Sequence, residues 1–343
     1  TLEALVEAGY EITGVVTQPD KPKGRGKQMM PTPVKEAAEK HGLPVYQPRR
    51  VRDAEAIEEI RKMEPDVIVV VAFGQIITKE ILEMPKYGCI NVHASLLPAY
   101  RGAAPIQWAV MNGDPVSGVT IMKMDEGIDT GEMLSKVEIP LASDETGGSL
   151  FDKLSAAGAK LLVETLPKIE KGEITPEKQP KESTTAYARM IKKEDGRIDW
   201  TKSAIEIERQ IRAMSPWPSA FTKVNGKNLK IWNAKVIAML GGDLFSKIPG
   251  QNPTKSAGKV WVADETGIHV KTGDGILVIE ELQLEGKKTD RRQQISCVDI
   301  RSSRVQNLEN KGTKKSEAEA GNCTEVLLPL CLEKKEKMIW DFL

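Results

Sequence analysis

Asn91 and His93 stand two residues apart, and farther along Asp129 sits between Gly127 and Gly131. Side chains repeat every two residues along a strand, so an extended Cys89 to His93 aims Asn91 and His93 to the same side. A carboxamide, an imidazole and a carboxylate, with no serine, cysteine or metal-ligand set beside them, suit direct acyl transfer to an amine. Attack of an amine on a carbonyl builds negative charge on oxygen and positive charge on nitrogen. The Asn91 amide can stabilise the oxyanion, a contribution of about 3–4 kcal/mol for such a donor. His93 can move the proton, an effect of roughly a hundredfold to ten-thousandfold. Asp129 would fix the tautomer of His93 and raise its basicity. A lone strand-end histidine is more often a structural hydrogen-bonder, but this one has an amide neighbour on its own face.

The elements that must position this trio follow from pattern. Up to about Gly172 the chain alternates strand and helix. Glu11 to Thr17 reads as a strand, Thr32 to His41 as a helix with Pro33 in its first turn, and Asp53 to Met63 as an amphipathic helix. Asp66 to Ala72 is apolar on successive residues, which predicts a central strand with both faces covered. A helix from Thr78 to Glu83 and the Cys89 to His93 strand follow. Repeated β-α-β units predict a doubly wound, mostly parallel Rossmann-like sheet, whose ligands sit beyond the carboxyl ends of its strands. Asp129 then lies in a glycine-flanked turn facing that crevice.

Lys171 to Glu182 is charged, holds Pro176 and Pro180, and reads as a linker. Beyond it come an amphipathic helix, Ala204 to Met214, and Ser215-Pro216-Trp217-Pro218. Short runs at Phe221 to Val224, Leu229 to Val236, Gly258 to Ala263, Gly267 to Thr272 and Gly275 to Leu284 predict a small antiparallel, OB-like β-barrel. The expected division is 1–172 for the catalytic domain, 173–187 for the linker, 188–288 for the barrel and 289–343 for a tail.

The composition bounds the function. Lysine plus arginine and aspartate plus glutamate each total 49 of 343 residues, so no bulk charge grips nucleic acid and any polyanion site must be local. No run approaches the roughly 18 apolar residues of a membrane helix. Four cysteines, without zinc-ligand spacing or a disulfide framework, point to a reducing, cytoplasmic compartment. One local concentration of positive charge exists: Lys21, Lys23, Arg25 and Lys27 against the single Asp20. In an arbitrary protein that is a solvated loop. Lys223, Lys227, Lys230 and Lys235 are equally readable as a phosphate-tracking face or as ordinary barrel surface.

Several segments resemble the methionyl-tRNA formyltransferases of the folate-dependent formyltransferase superfamily. They are Thr17-Gln18-Pro19-Asp20, Gly24-Arg25-Gly26-Lys27, Asn91 to Pro98, Tyr100 to Ile106, the Gly118 to Gly131 block, Lys193 to Trp200 and Pro216-Trp217-Pro218. The likeness spans about Thr1 to Lys288. It implies 10-formyltetrahydrofolate as donor and the α-amine of methionyl initiator tRNA as acceptor. It also implies Asn91, His93 and Asp129 as the catalytic trio, and Ser95, Leu96, Leu97 and Pro98 as the folate-contacting segment. Lys21, Lys23, Arg25 and Lys27 become a tRNA-contacting loop, with Arg25 at the position the family uses. A monomer without covalent intermediate, metal or ATP is the implied enzyme. Two alternatives stand beside it: a formyltransferase acting on a small amine, and an inactive truncated fragment.

Two departures carry that last alternative. Leu2, Ala4, Leu5, Val6, Ala8 and Gly9 read as the end of a helix closed by glycine, which leads us to expect a strand and helix start before Thr1. From about Thr289 periodicity collapses. One codon choice for Ile295 to Arg301, ATT TCT TGC GTG GAT ATC AGA, read two bases on, encodes Phe-Leu-Arg-Gly-Tyr-Gln, a pattern of the family's C-terminus. The tail is therefore read as a frameshifted, disordered segment.

Overall fold

The computed structural model describes residues 1–23, 28–224, 226–237, 257–286, 290–291 and 326–331. In its first part strands and helices alternate: α1 (Leu2–Glu7), β1 (Glu11–Ile12), β2 (Val15–Thr17), β3 (Lys21–Lys23), β4 (Gln28–Met30), α2 (Pro33–Lys40), β5 (Val45–Tyr46) and α3 (Ala54–Lys62). Then come β6 (Val67–Val71), α4 (Lys79–Leu82), β7 (Cys89–His93), α5 (Pro105–Asn112), β8 (Val116–Lys123), β9 (Glu132–Pro140) and α6 (Gly147–Glu170). The second part holds α7 (Ala204–Ala213), β10 (Ala220–Val224), β11 (Lys227–Ile237), β12 (Val260–Asp264), β13 (Gly267–Lys271), β14 (Ile276–Leu284) and β15 (Asp290–Arg291). Last comes β16 (Val326–Cys331).

The apolar run of β6 is buried on both sides, as its lack of alternation predicts. Val67 and Val69 join Leu2, Leu5, Val34, Leu150, Leu154 and Leu162, from α1, α2 and α6. Ile68 and Val70 join Ile57, Ile60 and Ile81, from α3 and α4. Helices thus cover both faces of a sheet ordered β5-β2-β16-β6-β7-β8-β9. Strands β2 and β5 are parallel, as are β6 and β7, while β8 and β9 each run antiparallel to the strand before. The result is a mixed, doubly wound sheet. The run expected as one strand at Glu11 to Thr17 is split at Thr13 and Gly14, where a Cβ on Gly14 would stand 2.6 Å from Met63 Sδ.

The helix ends obey local chemistry. Thr32 caps α2, its hydroxyl accepting from Lys35 N, with Pro33 in the first turn. Ser203 and Glu206 form a reciprocal box at the start of α7. The second sheet is antiparallel, ordered β10-β11-β14-β13-β12 with β15 on β14, so it runs past residue 288. Among the described residues its edge strands β10 and β12 are not paired with each other. Its core, including Trp200, Ile207, Ile211 and Ile231, also takes in Ala104 just before α5, with Trp108 of α5 packed against it, and so joins the two domains.

Disorder is the expectation for the tail from 289, yet six of its residues form β16, antiparallel to both β2 and β6. The physical reason lies in the backbone. Two buried strands one strand-width apart present facing rows of N–H and C=O groups, and an extended segment between them satisfies both. Removing the chain from residue 326 onward therefore leaves those rows open. The expected result is a fall in the thermal unfolding midpoint on the order of 5 °C, read by calorimetry.

Cys89, at the start of β7, is buried and its thiol donates to the Ile81 carbonyl at 3.5 Å. Burial pushes the thiol up to about 12, against the opposing charge of Lys123. Thiolate is the reactive form. Cys89 should accordingly escape alkylation in the folded chain at about pH 8, where an ordinary thiol (pKa roughly 8.5) reacts, and should label once denatured. Peptide mass mapping reads the outcome.

Candidate active site

Strand β7 carries the first two members of the trio. Ile90 and Val92 face α6, where a Cβ on Gly158 would stand 2.8 Å from Val92 Cγ1, and so Asn91 and His93 face the other side together. Both are nearly buried, at 8% and 6% exposure. Asp129 arrives from the turn after β8, with φ at +53°, a left-handed conformation that glycine, asparagine and aspartate adopt more readily than other residues. Its Oδ1 lies 3.5 Å from Asn91 Nδ2 and 3.6 Å from His93 Nδ1, and its Oδ2 accepts from Gly102 N at 2.8 Å. The three side chains converge.

The tautomer of His93 is set differently from expectation. Nε2 lies 3.1 Å from the Tyr100 carbonyl oxygen, which can only accept, so Nε2 carries the proton. Nδ1 is then the open nitrogen of the neutral ring, and it faces the Asp129 carboxylate. Asp129 is placed to stabilise an imidazolium once Nδ1 takes a proton. A backbone carbonyl does the orienting, and no side-chain pattern could reveal it.

The Ser95 to Pro98 segment wraps beside the trio. Ser95 Oγ donates to Ala99 O at 2.6 Å, while Thr120 Oγ1 donates to Ser95 O and accepts from Leu97 N. Leu97 is buried with Met122 and Met133, so the side chains of Ser95 and Leu97 are committed to holding the loop. Leu96 and Pro98 stay half-buried at its surface, and the Leu97–Pro98 bond is cis.

Residues 2–166 match the family described as Formyl transferase, and residues 190–297 match the Formyl transferase C-terminal domain. A methionyl-tRNA formyltransferase from Agathobacter rectalis is 58% identical over 289 residues, covering 84% of this chain and 89% of the relative. The chain belongs to the methionyl-tRNA formyltransferase family. The Bacillus subtilis methionyl-tRNA formyltransferase is 50% identical over 288 residues, covering 84% of this chain and 87% of that relative. Among solved structures, an N-formyltransferase from Helicobacter canadensis in complex with folinic acid and dTDP-3-aminofucose matches with a TM-score of 0.55 at 20% identity, over 81% of this chain and 93% of that one. HypX from Aquifex aeolicus, in complex with tetrahydrofolic acid, matches with a TM-score of 0.52 at 19% identity, over 82% and 47% of the two chains. These two share the fold.

In this formyltransferase the basic loop forms a hairpin of β3 and β4, paired Lys21↔Met30 and Lys23↔Gln28. Lys21 is exposed and its ammonium reaches Gln18 Oε1. The backbone of Lys23 lies in β3, while Arg25 and Lys27 lie outside the described residues. Asp20, the only acid of the loop, accepts from Gln47 and from Lys35, which hold its carboxyl below the usual range. Of the second-domain lysines, Lys235 pairs with Glu280 at 2.6 Å and Lys230 lies 5.2 Å from the Trp232 ring centre. Lys223 and Lys227 are exposed beside the β10–β11 turn.

Sequence reasoning missed the residues that brace the formyltransferase site from behind. Arg101 is 8% exposed, its guanidinium bonded to Gln179 Oε1 and to the carbonyls of Pro180 and Lys181. The stretch read as a linker is thus bonded to the catalytic loops. Its polar composition imitates a solvated tether because its partners are a guanidinium and backbone carbonyls and amides, not an apolar face.

Proposed function

We propose that this chain moves the formyl group of 10-formyltetrahydrofolate directly to the α-amine of methionine carried by initiator tRNA. The amine attacks the formyl carbon, and the bond from that carbon to N10 of the folate breaks as the new C–N bond keeps the formyl group. Asn91 donates to the developing oxyanion. His93 Nδ1 takes the proton from the attacking nitrogen and returns it to the leaving N10. Asp129 stabilises the imidazolium between those two steps. The convergence of Asn91 and His93 on one oxygen of Asp129 carries this reading. Relatives about half identical and named methionyl-tRNA formyltransferases support the acceptor.

Leu96 and Pro98, at the loop surface beside the trio, support the Ser95 to Pro98 segment as the folate contact. The same reading takes the enzyme as a monomer, as the family resemblance implies. A translation-initiation substrate makes it cytoplasmic, and no described helix is long and apolar enough to cross a membrane. The assay that tests the reading offers the formyl donor with charged initiator tRNA, and separately with an amino sugar or a glycinamide ribonucleotide. Formylation of the tRNA alone supports it. Formylation of a small amine instead favours that acceptor class, and no product with any acceptor favours an inactive fragment.

The basic segment with Lys21, Lys23, Arg25 and Lys27 belongs to the same reading as the tRNA contact. Strand β2 ends just before it, and the β6 and β7 carboxyl ends lie along the same edge of the sheet, which supports its reach toward the acceptor end. Arg25→Ala should weaken tRNA binding and lower the slope of log affinity against log salt by about 0.7 to 0.9, the loss expected for one phosphate contact. A filter-binding salt titration measures it.

A further inference from the structure

The segment that joins the two domains touches both the loop after β7 and the turn that carries Asp129. Ser183 Oγ donates to Pro98 O at 2.6 Å, and Thr185 Oγ1 accepts from Tyr100 N at 2.6 Å, next to the carbonyl that holds His93 Nε2. Ala188 exchanges backbone hydrogen bonds with Arg101 and Ala104. Glu177 and Met133 exchange both of theirs, which sets the segment against the start of β9. Gln179 lies between these anchors. Its Nε2 donates to Asp129 O at 2.9 Å and to Gly131 O at 2.7 Å, and its Oε1 accepts from Arg101 Nε at 2.9 Å.

Every polar atom of the Gln179 amide is therefore used, and the guanidinium of Arg101 decides which way the amide points. With Oε1 toward Arg101, both N–H groups face carbonyls of the turn that presents Asp129. Asp129 sits at φ +53°, in the left-handed region, which aspartate tolerates better than most side chains but which still persists only where its surroundings hold it. Two adjacent residues act at the two ends of Asp129: Arg101 through Gln179 on its backbone, and Gly102 through its amide on the carboxylate.

We propose that Gln179 is a positioning residue that clamps the Asp129 turn, so that the interdomain segment sets the approach of Asp129 to His93. The proposal rests on the catalytic reading of Asn91, His93 and Asp129. It implies that Gln179 matters only through Asp129, which a double-mutant cycle in the full chain isolates. Gln179→Leu removes both donors. Gln179→Glu keeps the volume and the Arg101 partner while losing the donors, and serves should the leucine variant fail to fold.

The measurement is steady-state formylation of charged initiator tRNA by the wild type, Gln179→Leu, Gln179→Glu, Asp129→Asn and the Asp129→Asn double variants. We expect kcat to fall roughly tenfold to a hundredfold on loss of the clamp, with KM for both substrates within about twofold, as for a misplaced reacting group. In the Asp129→Asn background the same change should cost less than about threefold. Equal losses in both backgrounds, or a loss confined to KM, overturn the clamp and leave the trio standing. Full turnover of Asp129→Asn itself overturns the trio and the clamp together.

Discussion

Replacing His93 with alanine should lower the single-turnover rate of formyl transfer roughly a hundredfold to ten-thousandfold, the range for a lost general base. The size follows from where the proton goes. Nε2 is committed to the Tyr100 carbonyl, so Nδ1 alone can take the proton that the attacking amine sheds, and it does so next to a carboxylate 3.6 Å away. No other described histidine can substitute. His41 pairs with Glu3 at the end of α2, and His269 bonds Thr266 in the second domain. Asn91→Ala should cost roughly a hundredfold to a thousandfold by removing an oxyanion donor from a nearly buried position. Rapid-quench measurement at saturating donor separates these losses from binding. His93→Ala with an unchanged transfer step would remove the base from the mechanism. Asn91→Ala and His93→Ala together should cost less than the product of the two, because both act on one transition state.

Much of the geometry behind this prediction is legible in the residues themselves. Strand β7 has the bounds that its pattern predicts, and the two-residue spacing places Asn91 and His93 on one face because that face is opposite α6. The apolar β6 run and the capped starts of α2 and α7 likewise follow from local rules that tertiary packing reinforces. What the residues do not display is any group whose role is played by the main chain. The Tyr100 carbonyl that orients His93 and the Gly102 amide that holds Asp129 have no side-chain signature. Gln179 is hidden for a related reason. It answers carbonyls rather than an apolar face, so it leaves no period, and the lysines and glutamates around it dominate the pattern. The place of β16 is equally illegible, since pairing between two strands distant in sequence depends on backbone rows that any extended segment can meet.

Gly131→Ala should be nearly as damaging to turnover as loss of a trio member, though residue 131 touches no reacting atom. A Cβ at this position would stand 1.9 Å from the Lys123 carbonyl oxygen and 3.2 Å from Met124 Cα, both backbone atoms. No side-chain rotation relieves that overlap, so either the turn through Asp129 or the end of β8 must shift. Strand β8 is bonded to β7 in register, Asn91↔Met122 and Ile90↔Lys123, which makes a shift of β8 a shift of Asn91. A shift of the turn moves Asp129 away from His93 and pulls Gly131 O off Gln179. A misplacement of about 1 Å can cost on the order of a hundredfold in rate, and we expect kcat to fall by that much. Gly42→Ala makes the control. Gly42 has φ +66° but no atom within 4 Å of the added carbon, so the substitution costs about 1 kcal/mol of stability and leaves the site where it is. If Gly131→Ala folds and turns over like Gly42→Ala, the Asp129 turn tolerates displacement and its placement is not what sets the rate.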